Sequence, residues 1–424
     1  MKRFRSIGAL VGAAGMFFWG APANAQCPTT SVACNNTGQL PNPVYLAGSS
    51  AFEPVASRLA LQIKAKQGVS LIYSPISSCT GISSVYSDAS LGLGTSPVAL
   101  SGNADYYLPD PTNPGSAVYC SCALAGSTFA DIGASDVAFE SCQGTAKPAT
   151  LGEWYGPEQA MLIVVPKANI TTTAISAQQA GAIWGCGPAG NVSPFVDANG
   201  VFKRSATSGT QIMVGRNIGS LDATGARRTV PESGFFGTST GSSSEMFTRL
   251  VAYSNPQAAI GFIANDFYAT HRSQLNAVAF RGFGQKKAYY ADSNSAVDDL
   301  LNVREGRYMI QGPVHLFAKL QTDGNPVAST KVVLDWLTGA TVIDSADPQF
   351  YVRTAATNGV VPQCAMKVKI DKDGGLFAPY TPPTSCDCAF RRSKSLLIAA
   401  GTCKACTADT DCSGGLRCQS GYCE

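Results

Sequence analysis

Arginine, serine, glycine and threonine stand at a spacing suited to oxyanion binding in the segment Arg204-Ser205-Ala206-Thr207-Ser208-Gly209-Thr210. A Ser-Gly-Thr cluster is typical of a helix start, whose free N–H groups and positive dipole end attract an anion. Gly209 allows the backbone to come close, and the planar guanidinium of Arg204 matches two phosphate oxygens. The same string also fits an ordinary serine-capped helix start. The segment therefore predicts either an anion site or a structural cap.

Strands that end in small polar residues are expected on the amino-terminal side of this segment. In each of three units a short apolar run is followed by glycine and serine residues or by a carboxylate, with Ser78 and Asp136 among them. The units are 44–50, 69–81 and 130–136. Apolar residues at helical spacing after the first unit predict a helix from Phe52 to Ala65. Repeated turns of this kind favour a parallel α/β sheet with its ligand site at the carboxyl ends of the strands.

A second region begins at residues 151–165, where the continuous apolar run 160–165 predicts a buried strand. A loop rich in glycine and serine is expected at 233–244. Beyond about residue 290, the pattern indicates a return to the first region. We predict helices at 176–184, 245–253 and 330–337, and strands at 260–263, 307–310 and 314–318.

The first residues have the pattern of an export signal. Lys2, Arg3 and Arg5 precede the apolar run 7–20, and 23–25 fits a cleavage site, so we expect residues 1–25 to be removed. The run is too short to span a membrane, and no membrane-spanning segment is expected in the mature chain. Three of the 31 Lys and Arg residues lie in the signal, which leaves 28 to balance 28 acidic residues. A neutral chain offers no basic surface for a nucleic acid.

Cysteine usage points to an oxidising compartment. The chain has 15 cysteines, which predicts disulfides and leaves one thiol free or paired with another molecule. Seven of them fall in residues 386–424, which we interpret as a small disulfide knot. The pair Cys403 and Cys406 could instead begin a zinc site or a redox pair. Prolines across 351–385 predict an irregular linker before the knot.

The motifs together resemble the periplasmic phosphate-binding proteins of bacterial phosphate ABC transporters, which have the type II periplasmic binding protein fold. The match covers most of residues 43–350. It rests on the order of the motifs along the chain, since each motif alone is weak. The motifs are Gly48-Ser49-Ser50, Ile76-Ser77-Ser78 with Gly81, Gly133-Ala134-Ser135-Asp136, Ala174 to Gly185, Arg204 with Ser208-Gly209-Thr210, Ala259-Ile260-Gly261-Phe262, and Gly306-Arg307-Tyr308-Met309.

The resemblance implies a bilobal α/β fold in which two mixed-sheet lobes are joined by a two-strand hinge. The cysteine-rich module would be an addition at the carboxyl end. The expected divisions are a signal at 1–25, a discontinuous first lobe at 43–150 and 285–350, a second lobe at 151–284, a linker or extension at 351–385, and the tail at 386–424.

The resemblance also implies which residues hold the ligand. The second lobe would contribute Arg204, Ser208, Gly209 and Thr210. The first lobe would contribute Ser78, Asp136 and the turn Ser50-Ala51-Phe52, chiefly through the Phe52 N–H group. The family usually has a hydroxyl residue where Ala51 stands, and often an acidic residue at the place of Ala206. Glu53 also stands at the helix start, where its negative charge would oppose an anion.

An aspartate in an anion site can accept a hydrogen bond from a protonated oxygen. Asp136 would then favour hydrogenphosphate over sulfate, since a ligand that cannot donate leaves a buried acceptor unpaired. The implied function is an exported, monomeric, periplasmic protein that binds phosphate or a related oxyanion for an ABC-type uptake system, without cofactor or metal. Alternatives are a cell-surface or secreted location, and an envelope sensor or scaffold with an altered or lost ligand.

A serine hydrolase is a further alternative. The string Gly237-Thr238-Ser239-Thr240-Gly241 fits a nucleophile elbow, and Asp266 and His271 follow in hydrolase order. That elbow requires an apolar strand directly before it, whereas Pro231 and a glycine- and serine-rich run precede this one. We therefore expect no catalytic residue. His315 lies in an apolar run and is expected to be a packing residue.

Overall fold

The computed structural model describes residues 27–113, 115–394, 396 and 403–424. The export signal and cleavage site that we predict at 1–25 lie outside these residues. None of the helices in the described part of the chain combines enough length with enough hydropathy to pass through a bilayer. The fold is mixed α/β with a central sheet and a cluster of disulfides at the carboxyl end.

The helices and strands are numbered here in chain order. The helices are α1 (Glu53–Gln67), α2 (Ser78–Val85), α3 (Phe139–Gln143), α4 (Ala177–Cys186), α5 (Gly209–Asn217), α6 (Ser243–Ala252), α7 (Asn265–His271), α8 (Leu301–Arg304), α9 (Ala328–Leu337), α10 (Phe350–Thr357) and α11 (Asp387–Ser393). The strands are β1 (Val32–Ala33), β2 (Pro43–Gly48), β3 (Ser70–Ser74), β4 (Asn103–Pro109), β5 (Ala117–Ala123), β6 (Ile132–Ser135), β7 (Leu151–Pro166), β8 (Ala174–Ser176), β9 (Phe202–Lys203), β10 (Gly219–Leu221), β11 (Arg227–Thr229), β12 (Thr238–Ser239), β13 (Gly261–Ala264), β14 (Leu275–Ala277), β15 (Ala279–Arg281), β16 (Gln311–Lys319), β17 (Val368–Ile370), β18 (Phe377–Pro379), β19 (Cys418–Gln419) and β20 (Tyr422–Cys423).

The central sheet has ten strands in the order β1-β5-β4-β3-β2-β6-β16-β7-β13, with β14 also paired to β7. Strands β3, β2 and β6 are parallel, so their carboxyl ends lie at one edge, as the three strand-and-turn units predict. The sheet is nevertheless mixed, because β4, β16 and β7 join it in antiparallel register. Hence the strand ends at 48–50, 74–78 and 135–136 converge.

The long strand β7 belongs to both halves of the sheet. Its first part, 151–160, pairs with β16, and its second part, 161–166, pairs with β13 and β14. Ile310 and Met161 continue the pairing at the junction, where the Met161 N–H donates to the Ile310 carbonyl over 2.9 Å. Two chain segments, β7 and the start of β16, therefore cross between the two halves.

Two large buried clusters lie on either side of this crossing. The first core is formed by α1, β2, β3 and α9, with Leu46, Leu59 and Leu334 fully buried. The second core is formed by the second part of β7 with β13, α4 and α5, and includes Trp184 and Phe262. Separate apolar clusters of this kind are expected for a chain of this length, since a single core does not grow indefinitely.

Helix boundaries follow local chemistry. Helix α1 ends at Gly68, which adopts the left-handed conformation at φ +64° and donates its N–H to the Lys64 carbonyl. Helix α4 begins with a capping box in which Ser176 and Gln179 each accept the other's backbone N–H. Both helices lie where the apolar spacing predicts them.

The predicted strand at 307–310 is wrong. The backbone N–H groups of Arg307 and Tyr308 donate to the Asn302 carbonyl, which closes a turn after α8. Gly306 has a positive φ of +68° within this turn, and the Tyr308 hydroxyl donates to the Met161 carbonyl over 2.8 Å. Of residues 307–310, only Ile310, at the end of the segment, forms a backbone hydrogen bond to a neighbouring strand, and Tyr308 is buried by the turn itself.

The segment 351–385 is not the irregular linker that its prolines predict. It contains the greater part of α10, followed by β17 and β18, which pair with each other. Residues on opposite sides of α10 are buried in different cores, Ala355 in the first and Ala356 in the second. Apolar contacts therefore order this segment despite its proline content.

Seven disulfides account for fourteen cysteines, and Cys186 is the free, exposed one. The zinc or redox alternative for Cys403 and Cys406 is wrong, because each is bonded to a different cysteine. Three tail sulfurs, of Cys406, Cys412 and Cys423, lie within 4.8 Å of one another, but all are in disulfides. The pairs are Cys27–Cys120, Cys34–Cys122, Cys79–Cys142, Cys364–Cys386, Cys388–Cys403, Cys406–Cys418 and Cys412–Cys423.

Candidate functional site

A buried carboxylate lies where the parallel strands end. Asp136 directly follows β6, and its side chain accepts hydrogen bonds from the Ser49 hydroxyl over 2.5 Å and the Ser78 hydroxyl over 3.4 Å. Ser49 follows β2 and Ser78 begins α2, so three chain segments meet at this carboxylate. The Asp136 N–H also donates to the Ser78 hydroxyl over 3.3 Å. The convergence of strand ends thus assembles a compact polar group.

The surroundings of Asp136 oppose its ionisation only in part. Burial raises the pKa of Asp136, because a carboxylate loses its water shell there. The Ser49 hydrogen bond and the positive charge of Arg204 act in the opposite direction. A carboxylate has about four lone-pair sites. Two are used by Ser49 and Ser78, so Asp136 retains capacity to accept a further hydrogen bond.

Arg204 is held by its own half of the molecule and is only 7% exposed. Its guanidinium donates to the Ser243 hydroxyl over 3.2 Å and to the Gly241 carbonyl over 3.1 Å, while its backbone N–H donates to Gln211. The guanidinium Nε is buried and has no hydrogen-bond partner among the described residues. An unpaired buried donor is costly unless a ligand or water satisfies it.

The turn from Ser208 to Thr210 opens α5 and is buried. The Ser208 side chain makes no capping hydrogen bond to the helix. The alternative that this serine serves as a structural cap is therefore not supported. The preceding Thr207 carbonyl accepts the Cys79 N–H over 3.3 Å. The first turn of α5 therefore lies beside the start of α2, with its backbone N–H groups available for an anion.

Gly209 of the second half lies very close to two side chains of the first half. A Cβ atom built on Gly209 would lie 2.4 Å from the Ser78 Oγ and 2.8 Å from the Asp136 Cβ. Only a glycine fits so close to these side chains. The structure thus brings Ser78, Asp136 and Gly209 together, and Arg204 lies near enough for its charge to act on Asp136.

The turn Ser50-Ala51-Phe52 is arranged differently from what the resemblance implies. The Ala51 N–H donates to the Ser49 hydroxyl over 3.2 Å, and the Phe52 N–H donates to the Ser49 carbonyl over 3.3 Å. Neither N–H group is therefore a free donor, because the tight turn uses both. The Phe52 side chain is fully buried in the first core, and Ser50 is half-buried in the turn.

Glu53, which stands at the start of α1, faces a tyrosine. Its carboxyl accepts a hydrogen bond from the Tyr107 hydroxyl over 3.0 Å. Burial raises the pKa of Glu53 to about 8, and the neighbouring Asp105 adds to this. The raised pKa reduces the negative charge that Glu53 brings to the helix start.

Three polar residues at the site were missed by sequence reasoning. They are Ser49, which binds Asp136, Asp266, which interacts electrostatically with Asp136 and Arg204, and Gln159, which donates to the Ala51 carbonyl over 3.0 Å. Ser49 and Asp266 both follow the end of a sheet strand, so the strand-end signal that identified Asp136 could have found them. Gln159 lies within β7, where only the crossing of the chain between the halves places it near the site.

Asp266 is a buried acid with an unpaired oxygen. Its Oδ1 atom has no hydrogen-bond partner among the described residues. Burial raises the pKa of Asp266 to about 8; the Phe267 N–H opposes the shift and the charge of Asp136 adds to it. The site thus combines one arginine with two buried carboxyl groups whose pKa values are both raised by burial.

The hydrolase alternative lacks its required geometry. Ser239 lies in the short strand β12, which pairs with β9, and not in a strand-to-helix elbow. The His271 Nδ1 lies 2.8 Å from the Phe267 carbonyl, and its ring stacks on Phe267. His315 is buried in β16, where its Nδ1 lies 2.7 Å from a Glu153 oxygen. His315 is therefore a buried packing residue, as its apolar sequence context predicts.

No family model matches the chain, and the search of curated proteins finds no significant match. Similar solved structures include an ABC-type phosphate transport receptor from Vibrio cholerae, at 16% identity and a TM-score of 0.46, covering 76% of this chain and 100% of that one. A high-affinity periplasmic phosphate-binding protein, PfluDING, has 13% identity and a TM-score of 0.45, covering 75% and 90%. Iron-bound HitA from Pseudomonas aeruginosa has 10% identity and a TM-score of 0.34, covering 84% and 97%. At these values the comparison identifies no ligand for this chain.

Proposed function

We propose that this protein binds phosphate or a similar oxyanion between two lobes and does not catalyse a reaction. We propose the division 43–150 with 285–350 and 151–284, except that residues 300–310 go with the second lobe, because Leu300, Val303 and Tyr308 are buried in the second core. The observation that carries the proposal is the buried Nε of Arg204, which has no hydrogen-bond partner in the described part of the chain and lies near the Asp136 carboxylate and the first turn of α5. A tetrahedral oxyanion supplies the acceptors that this donor and the helix N–H groups lack.

Each half contributes a different part of the proposed site. Arg204 and the turn Ser208-Gly209-Thr210 come from the second lobe and supply positive charge and N–H donors. Ser78 and Asp136 come from the first lobe. In the arrangement described here, the turn 50–52 would contribute mainly by shape, since the N–H groups of Ala51 and Phe52 are already bonded. Ligand binding would therefore favour the closed form of the two lobes over an open one.

Selectivity would come from the acid groups. Asp136 can accept a hydrogen bond from a protonated ligand oxygen, which sulfate lacks at neutral pH. Asp266, when protonated, can donate one through its carboxyl group. A site with one acceptor and one such donor suits a partly protonated oxyanion such as hydrogenphosphate. A ligand that cannot donate would leave Asp136 facing a bare anion, which weakens binding.

We further propose that the protein acts outside the cytoplasm as a monomeric solute-binding component of an ABC-type uptake system. Seven disulfides support an oxidising compartment such as the periplasm. The surface that docks on the membrane subunits would be formed by both lobes, because a surface that spans both lobes changes shape when they close. Co-purification with the membrane subunits of such a transporter would test this role separately from ligand binding.

Titration calorimetry with phosphate and with sulfate tests the binding proposal. We expect phosphate to bind more tightly, and Arg204→Ala to weaken phosphate binding by about 2–5 kcal/mol, because the variant removes a buried charge from the site. Arg281→Ala is the matched control, since Arg281 is exposed on β15. Equal phosphate affinity in Arg204→Ala and Arg281→Ala would rule out the assigned site.

A further inference from the structure

A hairpin in the carboxyl-terminal extension reaches both halves of the molecule. It consists of β17, β18 and the tip between them, residues 371–376, and is called the clasp below (residues 368–379). Its strands pair in antiparallel register, Val368 opposite Pro379 and Ile370 opposite Phe377. The tip extends past the crossing strands toward α3 on one side and β11 on the other.

On the first side, the clasp holds the chain that leaves the candidate site. An Asp373 side-chain oxygen accepts the backbone N–H of Ala138 over 2.9 Å. Ala138 is two residues beyond Asp136 and immediately precedes α3, and no side chain of its own caps that helix. A carboxylate at this place accepts a hydrogen bond from an N–H group at the helix start, and its negative charge interacts favourably with the positive end of the helix dipole. Asp373 therefore fixes the turn that carries Asp136.

On the second side, the clasp is held by an arginine. Arg227 in β11 donates to the Gly374 carbonyl over 2.7 Å, and its guanidinium also lies 5.0 Å from the centre of the Phe283 ring, which belongs to the second core. Gly374 has a φ of +68°, and a Cβ there would lie 2.7 Å from the Arg216 carbonyl oxygen. The tip thus touches the second half at close range as well.

The base of the clasp is anchored at the crossing itself. The backbone of Val361 exchanges two hydrogen bonds with Glu158 of β7, over 2.7 and 3.0 Å. Gln363 donates to the Gly156 carbonyl over 3.0 Å, and Cys364 is bonded to Cys386. The extension therefore adds a third segment beside the two that cross between the halves, and it cannot follow a large rotation of one half without losing contacts.

We propose that the clasp is a latch that opposes separation of the two lobes on the side where Asp136 leaves the site. Closed, it joins Ala138 of the first lobe to Arg227 of the second through two consecutive residues, Asp373 and Gly374. An open groove of about 610 Å³ beside the tip, lined by Arg227, Lys372 and Leu376 among others, leaves the tip room to move away. The lobes can separate only after the Asp373 contact to the first lobe is lost or the clasp comes away from the second lobe, which Val368 and Phe377 also contact.

The latch slows opening because the contacts on one side of it must be lost before the lobes separate. A hydrogen bond to a charged group contributes enough to change an opening equilibrium roughly ten-fold or more. The latch shares one assumption with the proposed function, namely that the two lobes move relative to each other. It makes a prediction for the protein without any ligand, so its failure is distinguishable from failure of oxyanion binding.

Hydrogen exchange of the Cys79 amide tests the latch. This N–H donates to the Thr207 carbonyl across the lobes and does not touch the clasp, so it reports opening and not the local loss of a mutated contact. In the ligand-free full chain we expect Asp373→Ala to speed exchange in the peptide that contains residue 79 about ten-fold. Asp373→Asn retains an acceptor oxygen and should stay close to the unmodified protein.

Two further variants complete the experiment. Lys369→Ala changes an exposed residue on the same hairpin and should leave the exchange unchanged. Arg227→Gln weakens the attachment to the second lobe, where Val368 and Phe377 also hold the clasp, and should speed exchange by a smaller factor than Asp373→Ala. It covers the case in which Asp373→Ala does not fold. Unchanged exchange of the Cys79 amide in every folded variant that lacks the Asp373 or Arg227 contact would overturn the latch.

Discussion

Gly209 of the second half lies against Ser78 of the first so closely that a methyl group on Gly209 would approach the Ser78 Oγ to 2.4 Å. The Asp136 Cβ would be 2.8 Å from the same methyl group. Helix α5 therefore begins in direct contact with the residues that end β6 and begin α2. Closure of the site depends on the absence of a side chain at position 209.

Gly209→Ala is expected to weaken phosphate binding, because the added methyl group forces the two halves apart. Overpacking of this kind costs about 1–3 kcal/mol, which corresponds to a loss of affinity of roughly ten-fold or more in calorimetry. Gly126→Ala is the control, since nothing lies within 4 Å of a Cβ at that glycine. Unaltered affinity in Gly209→Ala would mean that the bound form is more open than the one described here.

The buried acid Glu158 is expected to make stability depend on pH. Burial raises its pKa to about 8; the Gln363 hydrogen bond lowers it and the charge of Asp373 adds to the increase. The folded chain then holds this proton more tightly than the unfolded chain. The stabilisation of the folded chain by this proton is fully present below the ordinary pKa of 4.5 and is lost as the pH rises toward 8.

Glu158→Gln should reduce this dependence. We expect the melting temperature of the unmodified protein to fall more between pH 5 and pH 8 than that of the variant, with at most about 1.4 kcal/mol lost per pH unit and per group. Glu140→Gln changes an exposed acid and serves as control. The assignment fails if Glu158→Gln and Glu140→Gln have the same pH dependence.

The Cys79–Cys142 disulfide is expected to support the site. It joins α2, which begins with Ser78, to α3, which follows the Asp136 turn. Replacing both cysteines with serine should destabilise the chain by roughly 2–5 kcal/mol and also reduce phosphate affinity. Replacing Cys27 and Cys120 removes a disulfide beside β5 instead, and should reduce the unfolding free energy with little effect on affinity. Thermal unfolding and calorimetry on both double variants separate the two effects.

The carboxyl-terminal tail is expected to stabilise the second core through Arg304. This side chain is buried, forms an ion pair with Asp387 in α11 and donates to the Ala365 carbonyl over 2.9 Å. Arg304→Ala removes the buried partner of this carboxylate, which keeps only the longer, 3.7 Å ion pair with Arg391, and should reduce the unfolding free energy by about 3 kcal/mol in urea.

The neighbouring Arg307→Ala provides the comparison for this variant. Arg307 is half-exposed and pairs with Glu305 on the surface, so its loss should change stability by no more than about 0.5 kcal/mol. If both arginine variants unfold at the same urea concentration, the tail is not held to the second core through Arg304.

Local patterns in the sequence predict most of the elements that position the site. Helices α1, α4, α5, α6 and α9 and strands β2, β3, β6 and β13 lie close to their predicted places, because apolar spacing and capping residues act over a few neighbours. The strand-end turns and the Arg204 segment belong to this group. The strand predicted at 307–310 is absent, since apolar content alone does not distinguish a strand from a buried turn.

Sequence by itself determined which residues could bind an oxyanion, because that depends on their chemistry and on nearby glycines. It also established that the cysteines favour disulfides. Only the tertiary structure decided that Ser49 binds Asp136 and that Asp266 and Gln159 lie beside the site. It also decided that the extension is an ordered hairpin that touches both halves. The hydrogen bonds among these relationships join residues 87 to 235 positions apart, and they depend on how strands align and how the chain crosses between the halves.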